Sequence, residues 1–238
     1  MTFPDRMTTA LPPVVDAATW ARERAALLAA EKELTRARDA LAARRRRLPM
    51  TPATNHTFLT TAGPRTLLDL FGEHRTLVVY QFMDHGSERY CGGCTWFAEN
   101  IPATAPQLLA ENGVAWAHVS DLPLERLTTY WAARGWTMPY ASSRGTTFAA
   151  ETGSWLTVFV RDEAAVYRTW GTAGRGLEEV TFVTSLLDLT PYGRREDWED
   201  SPSGWPQGPA CPEPPLLAPE DVAVGFGRYR STAGSTPR

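Results

Sequence analysis

The chain has 238 residues, 43% hydrophobic and 21% charged, enough apolar material for a substantial core and too much for a wholly disordered polypeptide. A net charge of −3 gives no basic surplus for a phosphate backbone, so no nucleic-acid partner is expected. No apolar run approaches the roughly 18–20 residues of a membrane-spanning helix, and the start lacks the layout of a secretory signal, so a cytoplasmic protein without a membrane partner is expected.

Residues 1–13 read as a flexible start, with Met7 an alternative initiator. Residues 14–50 read as one amphipathic helix, running from about Asp16 to Leu48. Asp16 or Thr19 can cap it by accepting from the free amides of the first turn. Trp20, Leu27, Leu34, Leu41 and Leu48 recur every seventh residue and so share a face. That stripe is read either as a homodimer seam or as a face packed on the chain's own globular part. Arg44 to Arg47 complete the last turn, where cations suit the helix dipole, and Pro49 ends it.

Residues 51–200 carry alternating strand and helix patterns. Leu77 to Met83 and Val114 to Ser120 read as buried strands. Cys94 to Glu111 reads as a helix broken near Pro102 and Pro106, and Pro123 to Arg134 as a second helix. Leu156 to Arg161 and Ala165 to Trp170 read as an antiparallel hairpin turning at Asp162-Glu163, and Gly176 to Asp188 as a closing helix. The order β-α-β-α-β-β-α defines an α/β domain with a central mixed sheet flanked by helices. Residues 201–238, rich in Pro and Gly, read as a disordered tail in which Cys211 is an incidental thiol.

Three cysteines in a chain without a signal do not make a disulfide framework. Cys91 and Cys94, separated by Gly92 and Gly93, lie between a strand and a helix. There the first thiol meets the amides of the helix N-terminus, which stabilise a thiolate and lower its pKa. The second can attack a mixed disulfide formed on the first, which makes Cys91 the nucleophile and Cys94 the resolver. The glycines leave the site uncrowded, Tyr90 and Trp96 flank the approach, and His85 can reach Cys91 across the loop. A structural zinc needs two further ligands, and His56, His74, His85 and His118 make no second pair; no metal and no cofactor are expected.

Several stretches together resemble the thioredoxin-like bacterial family catalogued as domain of unknown function 899. They are Trp20 to Met50, Leu67 to Met83, Cys91 to Asn100, Leu156 to Gly176 and Leu186 to Trp198, within a resemblance spanning about Val14 to Trp198. The resemblance implies a thioredoxin-like fold and redox activity, with no settled substrate. Departures from thioredoxin itself bear on mechanism. Ser154-Trp155 precede the strand where thioredoxins carry a cis-proline, and Pro139 lies nearer the preceding strand, as in peroxiredoxin-like chains. The buried carboxylate that relays the resolver's proton aligns near Gln81, which is no base, leaving His85, Glu88 or water.

Peroxiredoxins place Thr or Ser three residues before the reactive cysteine; here that residue is Glu88, with Ser87 one step off, and Arg175 or Arg161 would have to supply the cation. The glycines around Arg175 fit no nucleotide fingerprint and read as a turn that positions it. The expected function is therefore thiol–disulfide exchange, with an oxidised protein or small-molecule thiol partner and a cellular thiol reductant. Peroxide reduction and a non-catalytic dimerising module are the alternatives.

Overall fold

The computed structural model describes residues 10–86, 88–208 and 216–221. The chain divides into two compact units, residues 1–49 with 201–206 and residues 50–200 with 207–238. In the first unit, α1 (Ala17–Arg45) is capped by Asp16, whose carboxylate accepts the Thr19 amide at 2.8 Å. The helix stops three residues short of the expected Leu48. Arg47 and Leu48 bond back to Arg44 and Arg45 at 3.0 and 3.1 Å, a tighter turn ahead of Pro49, which disfavours helix at the residue before it. No residue of α1 is buried. Among the described residues, no helix is long and apolar enough to cross a membrane.

The second unit runs β1 (Thr51–Pro52), β2 (Thr57–Thr60), β3 (Gly63–Thr66), β4 (Thr76–Phe82), β5 (Tyr90–Cys91), α2 (Gly92–Glu99) and α3 (Ala105–Glu111). It continues with β6 (Val114–Ser120), α4 (Leu124–Arg134), β7 (Tyr140–Ser142), α5 (Phe148–Thr152), β8 (Leu156–Asp162), β9 (Ala165–Thr172), α6 (Phe182–Leu187) and β10 (Leu216–Leu217). One sheet has the order β1-β9-β8-β4-β6-β7-β2-β3, and a separate two-stranded sheet joins β10 to β5. β4 is parallel to β6 and antiparallel to β8, while β8 and β9 form an antiparallel hairpin. A parallel pair joined through helices, followed by an antiparallel hairpin added on the other side of the first strand, is the thioredoxin-like core.

β4 is the central strand, and its period of two divides the interior. Tyr80 and Phe82 face a cluster with Cys91, Cys94, Phe97, Leu127, Tyr130 and Trp131 from β5, α2 and α4. Leu77 and Val79 face the opposite cluster, with Phe58, Phe71, Val119, Phe148 and Phe159. The cysteine pair thus sits on the aromatic side of the sheet.

The helix at the pair begins at Gly92, two residues before the expected start, and breaks as expected near the prolines: it ends at Glu99 and α3 starts at Ala105, so that Pro102 lies in the gap and Pro106 in the first turn of α3, where its missing N–H costs nothing. The closing helix is two pieces, a 3₁₀ stretch over Gly174–Val180 and then α6. Thr181 between them is extended and buried, its hydroxyl donating to the carbonyls of Leu177 and Glu178 at 3.1 and 2.9 Å. Two glycines and a β-branched run give this stretch weak helix propensity, so the turn bonds prevail. Part of the tail is also structured, because Leu216 and Leu217 are its adjacent leucines and an open strand edge accepts them. Residues 1–9, Ser87 and Cys211 lie outside the described residues.

Candidate active site: two thiols at the start of α2

The backbone of Cys91 is the last residue of β5 and the N-cap of α2. Its extended conformation points Sγ back over the first turn, where it accepts the Cys94 amide at 3.4 Å. Gly92 and Gly93 are buried in that turn. Both thiols are free and buried, Cys91 at 1% exposure and Cys94 at 0%.

Their titrations diverge. Cys91 is lowered from 9.0 to about 6, chiefly because the Cys94 thiol donates to it, with further help from the Cys94 amide and from His85 against the cost of burial. Cys94 is pushed well above the ordinary thiol value by burial and by the neighbouring Cys91 sulfur. Two groups oppose that rise: the Met83 amide, which donates to Cys94 Sγ at 3.3 Å, and the Tyr80 hydroxyl. At neutral pH this is a thiolate beside a thiol, the asymmetry that a nucleophile and a resolver require.

Aromatic and hydroxyl side chains fix the frame. Tyr80 stacks on Phe97 with ring centroids 4.1 Å apart, and Tyr90 on Tyr130 at 3.7 Å. The Arg126 guanidinium stands 5.2 Å over the Tyr90 ring. Thr95 donates to the Cys91 carbonyl at 2.8 Å and shares a 2.7 Å hydrogen bond with the Tyr130 hydroxyl. A carbonyl in the cap and a ring on α4 therefore hold the same turn. His118, fully buried on β6, has its pKa lowered to about 3 by burial and stays neutral; its Nδ1 accepts the Trp116 indole N–H at 3.1 Å.

The structure thus brings together Tyr90, Cys91, Gly92, Gly93, Cys94 and Trp96 at one helix start, with His85 close enough to act on Cys91. Arg175 has other partners: it pairs with Glu178 at 3.2 Å and lies 3.9 Å over the Trp198 ring. Gln81 is buried but is not the group that meets the resolver; that place is taken by Tyr80, one residue earlier. The alternation of Tyr80 and Phe82 along β4 is a signal that would have found Tyr80. Tyr130, Thr95 and Arg126 carry no local signal, since only the packing of α4 against α2 gives them their place.

Fold and site define a thioredoxin-like protein with a dithiol at a helix N-terminus. The chain belongs to the bacterial family of proteins of unknown function DUF899, whose model matches residues 9–208. Solved structures similar to it include a hypothetical protein from Sinorhizobium meliloti, at 19% identity over 50% of this chain and 67% of that one, with a TM-score of 0.39. A peroxidoxin from Mycobacterium tuberculosis matches at 20% identity, over 48% and 79% of the two chains, with a TM-score of 0.38. An uncharacterized thioredoxin-like protein from Porphyromonas gingivalis matches at 15% identity, over 59% and 93%, also at 0.38. No curated protein matches the sequence.

Proposed function

We propose that the protein is a cytoplasmic thiol–disulfide oxidoreductase working through Cys91 and Cys94. The observation that carries this reading is the placement of two free thiols on the first turn of α2, Cys91 at the N-cap with its Sγ accepting the Cys94 amide; the lowered Cys91 and raised Cys94 titrations agree with it. The Cys91 thiolate attacks one sulfur of a substrate disulfide, forming a mixed disulfide and releasing the other substrate sulfur as a thiolate. Cys94 then loses its proton and attacks Cys91 Sγ, which closes the Cys91–Cys94 disulfide and releases the second substrate thiolate. The substrate gains two electrons and the pair loses them; a cellular dithiol or glutathione returns them. The Met83 amide faces Cys94 as a donor and supports its thiolate at the moment of attack.

Peroxide reduction has less support, because the Arg175 cation is engaged with Glu178 and Trp198 and the residue three before Cys91 is the exposed acid Glu88. Single variants test the exchange reading. Cys91→Ser is expected to abolish reduction of a disulfide substrate, and Cys94→Ser to accumulate a mixed disulfide on Cys91, read as an intact-mass adduct. Full activity in Cys91→Ser would remove the assignment.

A further inference from the structure

Cys91 is chemically poised and physically closed: its residue is 1% exposed, whereas exchange requires the sulfur to meet a second sulfur in the open. The element lying on its strand is β10. Leu216 pairs with Cys91 and Leu217 with Tyr90, antiparallel, and Leu217 is 1% exposed. The chain then folds back. The Asp221 carboxylate accepts the Ala218 amide at 2.7 Å and meets Arg89 at 2.9 Å. Arg134, at the end of α4 and ion-paired with Glu99 of α2, donates to the carbonyls of Asp221 at 2.6 Å and Pro219 at 3.4 Å. A two-residue ladder, one buried leucine, a partly exposed ion pair and the Arg134 hydrogen bonds make up the attachment, and it belongs to no strand of the main sheet.

We propose that the β5 edge at Cys91 is a strand-addition site for an extended polypeptide bearing the substrate disulfide, and that Leu216–Asp221 is the chain's own displaceable occupant of it. Three features favour a polypeptide. The occupant is held at β5 by main-chain pairing, which any extended backbone can reproduce. The residue opposite Tyr90 is a leucine and is 1% exposed, so this position buries an apolar side chain. Directly opposed residues of an antiparallel pair have Cα atoms about 4.5–5.5 Å apart, within the roughly 4.4–6.8 Å that a disulfide spans. A substrate cysteine in the position of Leu216 therefore stands in register to bond with Cys91, with an apolar residue following it.

This inference rests on Cys91 being the attacking thiol, and its test is read separately from turnover. In full-length protein carrying Cys211→Ser, iodoacetamide labelling of Cys91 is expected to quicken at least tenfold in Leu217→Ser and in Asp221→Ala. Should Leu217→Ser fail to fold, the partly exposed Asp221 site makes the same measurement. With Cys94→Ser added, a peptide copying residues 214–221 with cysteine in place of Leu216, activated as a mixed disulfide, is expected to transfer to Cys91. Backbone N-methylation of that peptide is expected to slow transfer at least tenfold. Unchanged labelling in both strap variants overturns the proposal. Equal rates for the methylated peptide, or for oxidised glutathione, overturn the polypeptide site and point to a small thiol. Neither result alters the potential of the Cys91–Cys94 pair, which tests the exchange reading itself.

Discussion

Cys91 and Cys94 share one helical turn, and each is responsible for much of the other's titration. The thiol of Cys94 donates to Cys91, which lowers the one, and a thiolate at Cys91 then disfavours a second negative charge beside it, which raises the other. At pH 7 a thiol of pKa 9.0 is about 1% ionised, and one lowered to about 6 is about 90% ionised. The rate of Cys91 alkylation should therefore climb through pH 6 and level off by about pH 7, since the thiolate is the reactive form. His85 contributes to that lowering, so His85→Ala should move the midpoint upward, as followed by mass after timed alkylation in Cys211→Ser protein. A midpoint at the unshifted value of 9.0 would contradict the geometry. The pair itself was legible in the sequence, because helix-start cysteines separated by two residues carry their chemistry locally. The Met83 amide was not, since its relation to Cys94 depends on how the end of β4 passes beneath α2.

Among the elements, β4 carries the most. It is bonded on one side to β6 and on the other to β8, and its two faces supply both clusters. Leu77 on this strand is fully buried and faces away from the cysteines. Leu77→Ala should lower stability by about 2–5 kcal/mol in denaturant unfolding while leaving the Cys91 pH profile in place. A loss under about 0.5 kcal/mol would mean that the strand is not central to the core. The long strands were readable because apolar and β-branched residues run without interruption, and the expected bounds of β6 match those observed. The shorter strands β2, β3 and β7 were not readable, since three or four residues hold no period and gain their ladders only from neighbours distant in sequence. The hairpin between β8 and β9 was expected despite an unclear turn. Glu163 takes the left-handed conformation there, φ 52°, in place of the usual glycine or asparagine.

At the scale of the molecule, a thioredoxin-like core pairs the strand that carries Cys91 with a segment drawn from far along the chain. Composition argued for disorder in that tail, and Pro and Gly do dominate it. Two leucines were enough to reverse the local outcome once a strand edge stood ready, a partnership that lies some 125 residues away in sequence and leaves no periodic trace. Exchange requires the two thiols to act as one redox couple. The most direct test is intact mass after alkylation, across a series of glutathione redox buffers, on the full chain with Cys211→Ser. Cys91 and Cys94 are expected to lose both labels together at a defined potential, between roughly −120 and −270 mV, the span of exchange catalysts. If both thiols remain fully labelled across the series, dithiol exchange is not what this pair does.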